Sequence, residues 1–271
     1  MWFDTGEVNL YYERPGQGQQ VMVLLHGTTG RSDTFQPIVS DLSSTFQLVI
    51  PDLRGHGRSD HLPGSYRVLN FAQDIIRLLD SLSTTRFLLL GHSLGGLIGI
   101  ALAAERPDMI DALIIEDAPL WLRRHSVEDG SPRAYNFFKS LHDLLLITRD
   151  ENGLREQLPA ALALREDDSL ASRLSQMDPN VLKMSFDNSL MDGFDIDQAL
   201  RTINCPTLIL QAGNQDNASL GDPDVQAASN ALRESTHYTI EHAGHHIHAD
   251  QPIRMTTIAK EWLSTHTSLS T

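Results

Sequence analysis

Cysteine is nearly missing from this chain. The single Cys205 among 271 residues has no partner for an intramolecular disulfide, so no covalent staple supports the fold. Its neighbours Asn204 and Pro206 mark it as a small apolar filler at a strand entrance, not a nucleophile. Basic residues are also scarce, with 21 Lys and Arg against 35 Asp and Glu and a formal net charge of −14. That balance excludes the basic face a nucleic-acid partner needs and disfavours attraction to anionic membranes. No apolar run approaches the ~18 residues that span a bilayer. The stretch Met1 to Glu7 lacks the basic segment and apolar core of a signal peptide, so a cytoplasmic protein is expected. Internal repeats and low-complexity tracts are absent too. What remains is ordinary for a globular protein with a real core: 41% hydrophobic and 21% charged residues. The length suits one large domain, with or without an insertion.

Short apolar runs alternate with helical patterns, as in successive βαβ units. Val21 to Leu25, Leu48 to Ile50, Phe87 to Leu90, Leu113 to Ile115 and Thr207 to Leu210 are nearly continuous apolar segments. Strands buried on both faces of a parallel sheet have this composition. Leu10 to Glu13 reads as an antiparallel strand before the turn at Pro15-Gly16, and Thr236 to Ile240 as the last strand. Phe71, Ile75, Leu78, Leu79 and Leu82 recur at helical spacing and predict a helix covering one sheet face. From 118 to 203 no strand pattern occurs, while helical patterns are dense, most clearly from Phe137 to Leu146. Such a length exceeds a simple crossover. The prediction is an α/β core from 1–117 and 204–271, with a mostly parallel sheet and helices on both faces. Residues 118–203 would form a helical lid over the carboxyl edge of that sheet, where open α/β sheets bind ligands.

The most telling residues are Gly91-His92-Ser93-Leu94-Gly95, set between the apolar run Phe87 to Leu90 and a helical stretch from Leu94 to about Glu105. A serine on so tight a strand-to-helix turn is pushed out of the sheet top as a nucleophile. It needs a base, and His245 in the loop beyond the last strand is the best placed of twelve histidines. An acid must then orient that base. Asp216, directly after the strand Thr207 to Leu210, is preferred; Glu116 and Asp117, ending the strand before, are the alternatives. His26-Gly27-Thr28 closes the first buried strand, so the backbone N–H of Thr28 and that of Leu94 are candidate oxyanion donors. His242, His245, His246 and His248 also invite a metal reading, which is set aside because no H-E-x-x-H pair or assisting cysteine accompanies them. Trp121, Tyr135, Phe137, Phe138 and Met184, with Leu120, are candidates to line an apolar substrate pocket.

Taken in order, five fragments resemble the α/β-hydrolase superfamily over nearly the whole chain. They are His26-Gly27, the Asp52 to Ser59 stretch, Gly91 to Gly95, Gly213 to Asp216 and Gly244-His245. The resemblance implies a lidded member with Ser93, His245 and Asp216 as a triad, Thr28 and Leu94 as oxyanion donors, and no metal or other cofactor. It implies a structural role, not a catalytic one, for Asp52 to Ser59. A serine nucleophile disfavours the epoxide- and halide-directed branches, which use a carboxylate. The expected activity is hydrolysis of a small-molecule carboxylic ester or lactone through an acyl-enzyme. Two alternatives stand beside it: a carbon–carbon bond hydrolase of ring-fission products, for which Arg123, Arg124 or Arg133 could hold an acid, and a ligand receptor on the same fold. A monomer or homodimer is expected.

Overall fold

The computed structural model of the chain describes residues 1–121, 132–158, 169–187, 189–215 and 217–267. Eight strands form one sheet: β1 (Trp2–Asp4), β2 (Asn9–Glu13), β3 (Val21–Leu25), β4 (Gln47–Pro51), β5 (Phe87–His92), β6 (Ile110–Glu116), β7 (Thr207–Ala212) and β8 (Ser235–Ile240). Their spatial order is β1-β2-β4-β3-β5-β6-β7-β8. The pairs β1–β2 and β2–β4 are antiparallel, and every pair onward from β4 to β8 is parallel. All six apolar or strand-like runs after residue 20 become strands, and Leu10 to Glu13 lies in the antiparallel β2. The short, exposed β1 carries no apolar run to announce it.

β3 is buried at all five positions because helices cover both sides of the sheet. Alternate residues of each strand feed two cores. Leu89, Leu113 and Ile115 join the helices α2 (Val68–Asp80) and α3 (Leu94–Glu105) on one face. Leu88, Leu90, Ala112 and Ile114 join α1 (Gln36–Ser43) and the C-terminal helix Pro252–His266 on the other. α3 is apolar on nearly every side and lies close under the sheet. A Cβ on its Gly95 would sit 1.9 Å from the Leu25 carbonyl oxygen, so only glycine allows that approach.

Between β6 and β7 the described residues form helices and no strand: Pro132–Ile147, Glu151–Gln157, Ser169–Ser175, Pro179–Phe186 and Ile196–Thr202. The insertion has a small core of its own, formed by Leu141, Leu145, Leu154, Leu174 and Leu182 with their neighbours. It touches the loops at the carboxyl ends of β3 and β4. The Arg173 Nε–H donates to the Thr29 carbonyl at 3.0 Å, and the Asp178 backbone N–H donates to the Gly55 carbonyl at 2.9 Å. The Tyr66 hydroxyl donates to Asp178 Oδ2 at 2.6 Å; burial and then that carboxylate push the phenol pKa up. Among the described residues no helix is long and apolar enough to cross a membrane.

Candidate active site

Ser93 occupies the junction between β5 and α3 with φ 54° and ψ −116°. A non-glycine residue tolerates such backbone only where its surroundings enforce it. Here the Ser93 N–H donates to the Glu116 carbonyl at 3.0 Å, and its own carbonyl accepts from Gly96 at 2.9 Å. Strand pairing thus holds the turn from one side and the first helical turn from the other. Leu94 is the first residue of α3, so its N–H has no intrahelical acceptor.

Gly27, which follows β3 and His26, lies against the same turn. A Cβ there would meet Ser93 Cβ at 3.1 Å and His92 Nδ1 at 2.9 Å. That contact brings the Thr28 backbone beside the serine. The loop is fixed by two buried histidines. His26 donates from Nδ1 to the Gly27 carbonyl at 2.8 Å and accepts the Leu53 N–H at Nε2, 3.0 Å away. Burial, reinforced by neighbouring His56, drives the His26 pKa well below the usual imidazole value, in keeping with that neutral tautomer. His56 Nε2 lies 2.8 Å from the Thr28 carbonyl. Among the described residues, neither the Thr28 nor the Leu94 N–H has a backbone acceptor.

His245 Nδ1 donates to Asp117 Oδ2 at 2.7 Å. Asp117 directly follows β6 with φ 41° and is fully buried. Its oxygens also accept the backbone N–H groups of Ser219 at 2.7 Å and of Ala212 and Leu220 at 3.3 Å. The carboxylate found beside the candidate base is Asp117, one of the two alternatives; the preferred Asp216 lies outside the described residues. Two neighbouring strand ends were equally within reach of the histidine, and spacing along the chain does not distinguish them. The β7 loop takes part through its backbone amides, which grip the carboxylate. Glu116, the other alternative, faces away and binds His248: Oε1 accepts the His248 N–H and Nδ1–H, each at 2.8 Å.

The remaining candidates fall into different places. Trp121 is buried and directs Nε1–H toward Asp197 Oδ1 at 3.3 Å. Met184 and Leu120 belong to the main core. Tyr135 meets Phe186 edge-to-face at 5.7 Å, whereas Phe137 and Phe138 pack on the insertion's own core. Arg123, Arg124 and the side chain of Arg133 lie outside the described residues. The Asp52 to Ser59 stretch is a bracket: Asp52 accepts the Ser32 N–H at 2.7 Å and the Arg58 N–H at 2.9 Å. Arg54, also buried, grips Asp74 through two 2.6 Å bonds. Burial pushes the Cys205 thiol up to about 11, as suits a filler. Among the described residues one group has metal-ligand spacing: His92, Glu116 and His248, with candidate ligand atoms within 4.8 Å of one another. From sequence, His248 falls in a metal-like histidine cluster, but neither His92 nor Glu116 is brought beside it. The signal available was a polar residue at an inward position of a strand otherwise apolar there.

Comparison with known proteins agrees with this architecture. The family described as the α/β hydrolase fold matches residues 20–252. A putative carbamate hydrolase RutD from Variovorax paradoxus is 30% identical over 250 residues, covering 87% of this chain and 89% of that protein. An N-acyl homoserine lactone degrading enzyme superposes with a TM-score of 0.77 at 21% identity, covering 97% of this chain and 100% of the other. The enol-lactonase from Burkholderia xenovorans gives 0.76 at 22% identity, again over 97% and 100%. At those identities the two structures show the fold alone. The chain belongs to the α/β-hydrolase family and is a hydrolase.

Proposed function

We propose that this hydrolase cleaves a carboxylic ester or lactone through a Ser93 acyl-enzyme. The observations that carry the reading are the turn of Ser93, at φ 54° on the strand–helix junction, and His245, whose Nδ1 lies 2.7 Å from buried Asp117. In the first step Ser93 Oγ attacks the acyl carbon while His245 Nε2 takes the hydroxyl proton. The Thr28 and Leu94 N–H groups receive the developing oxyanion. His245 then returns its proton to the leaving alkoxide, and the carbon–oxygen bond breaks. Water follows the same path: His245 removes its proton, the hydroxide adds to the acyl carbon, and Ser93 leaves reprotonated. Asp117 orients the imidazole throughout and stabilises its protonated form. The insertion 118–203 acts as a cap, since it rests on the β3 and β4 loops that border the serine.

Burst release of chromophore from a short-chain p-nitrophenyl ester tests this reading. The wild type is expected to show a burst near one equivalent, and Ser93→Ala none; equal slow turnover by both would remove the esterase reading and favour a receptor. A carbamate substrate is a second reading, prompted by the name of the 30%-identical relative. It uses the same acyl chemistry, so a panel of esters, lactones and carbamates read by kcat/KM separates the two.

A further inference from the structure

We propose that His92 and Glu116 are positioning residues that fix the general base from the buried side of the sheet, a role that rests on the reading of Ser93 and His245 above. They are register partners in the β5–β6 pairing, where His92 lies opposite Glu116. Both follow the even-numbered positions Leu88, Leu90, Ala112 and Ile114, whose side chains enter the core on the side of α1 and the C-terminal helix. Ser93 and Asp117 come one residue later. The same two chain segments therefore supply a reacting pair at the sheet top and a buried pair beneath it.

Each buried side chain holds the base segment by its backbone. The His92 Nε2–H donates to the carbonyl of His245 at 2.9 Å, with ring centroids 4.6 Å apart. Glu116 accepts the backbone N–H of His248, three residues on, and also that residue's Nδ1–H. Phe35 lies against the His248 ring at 5.0 Å. The segment from 245 to 248 is thus pinned at its first carbonyl and its last N–H by residues adjacent to the nucleophile and the acid. A base tied this way keeps its place relative to Ser93 when the loop is strained.

The same three side chains have the spacing of a cation site; Glu116, His92 Nε2 and His248 Nδ1 are engaged in hydrogen bonds, while His92 Nδ1 and His248 Nε2 are buried without one. Both Glu116 oxygens lie within 3.0 Å of His248 Nδ1, and His92 Nε2 is spent on a carbonyl. The other nitrogen of His92 lies close to the Gly27 backbone, where an added Cβ would sit 2.9 Å from it. These contacts fit a brace.

Displacing a base by an ångström costs a rate of the order of 100-fold. The test is the rate of Ser93 labelling by an alkyl fluorophosphonate, in which the serine oxygen bonds to phosphorus, fluoride leaves and His245 takes the proton. His92→Phe, which keeps the ring and removes the donor, is expected to slow labelling by about 10- to 100-fold. His92→Gln, whose amide nitrogen can replace Nε2–H, is expected to stay within about threefold, with thermal midpoints of both variants close to wild type. His92→Asn, too short to reach the carbonyl, gives the same reading as His92→Phe should that variant fail to fold. Labelling of His92→Phe or His92→Asn at the wild-type rate, or equal slowing of His92→Gln, overturns the proposal. A wild type whose Ser93 is not labelled at all overturns the catalytic reading instead.

Discussion

Two carboxylate–histidine pairs sit side by side at the end of β6, and they differ mainly in which face of the sheet they use. Asp117 with His245 stands at the carboxyl edge, where the His245 side chain keeps 20% of its exposure. Glu116 with His248 is sealed at 0% on both sides. The chemistry of the two pairs is the same: a ring Nδ1–H on a carboxylate oxygen, at 2.7 Å in one and 2.8 Å in the other. Only the first has a ring edge that a substrate can meet. A single residue's step along a strand end, with the positive φ of Asp117, converts one buried ion-pair motif into a candidate catalytic one and leaves its neighbour as scaffolding.

Substitution should pull the two pairs apart. The largest effect is expected at the exposed pair. Asp117→Asn should lower kcat by about 10³- to 10⁴-fold through loss of the oriented tautomer, whereas Asp216→Asn should change it less than about threefold, because His245 Nδ1 already has its acceptor. Steady-state kinetics on one ester decide this, and the reverse order would reassign the acid. Next comes the buried pair. Glu116→Leu leaves two donors of His248 without an acceptor, at about 1–3 kcal/mol each. A urea midpoint unchanged from wild type would contradict that.

The smallest effect concerns acid sensitivity. His26, His56 and His92 all have pKa values pushed down, in each case first by burial; for His92 the surrounding His245, His246 and His248 add to it. Unfolded, such rings titrate at ~6.5. The unfolded chain therefore binds more protons as pH falls below that value, and stability drops on acidification through this window. His92→Gln should reduce the slope of unfolding free energy against pH by close to one proton, measured by denaturant melts between pH 7 and 5. An unaltered slope would mean that His92 does not resist protonation in the folded state.

Much of the fold was legible because burial on both faces leaves an uninterrupted apolar signature. Val21 to Leu25 coincides with β3 and Leu94 to Glu105 with α3. β1 was not legible: a three-residue, exposed edge strand has no pattern to show. Ser93 stood out for a similar reason, since its glycines encode the turn locally. The aromatic candidates were less readable. Phe137 and Phe138 have the composition of pocket residues, yet pack within the insertion, because an isolated helical segment must bury its own apolar side.

The sequence by itself determined the order of strands β2 to β8 along the chain, the tight serine turn and the loop that bears the histidine, all of which depend on residues within a few positions of one another. Which carboxylate lies beside His245 is visible only in three dimensions. β6 and β7 are adjacent in the sheet but separated along the chain by the 118–203 insertion, and either strand end can reach the same imidazole. Asp117 is the carboxylate beside His245, and the backbone N–H groups of Ala212 at the end of β7 and of Ser219 and Leu220 in the following loop converge on it. The pairing of His92 with Glu116 beneath it has the same origin. Strand register and pleat set two distant polar residues side by side, and nothing local in either segment specifies that meeting.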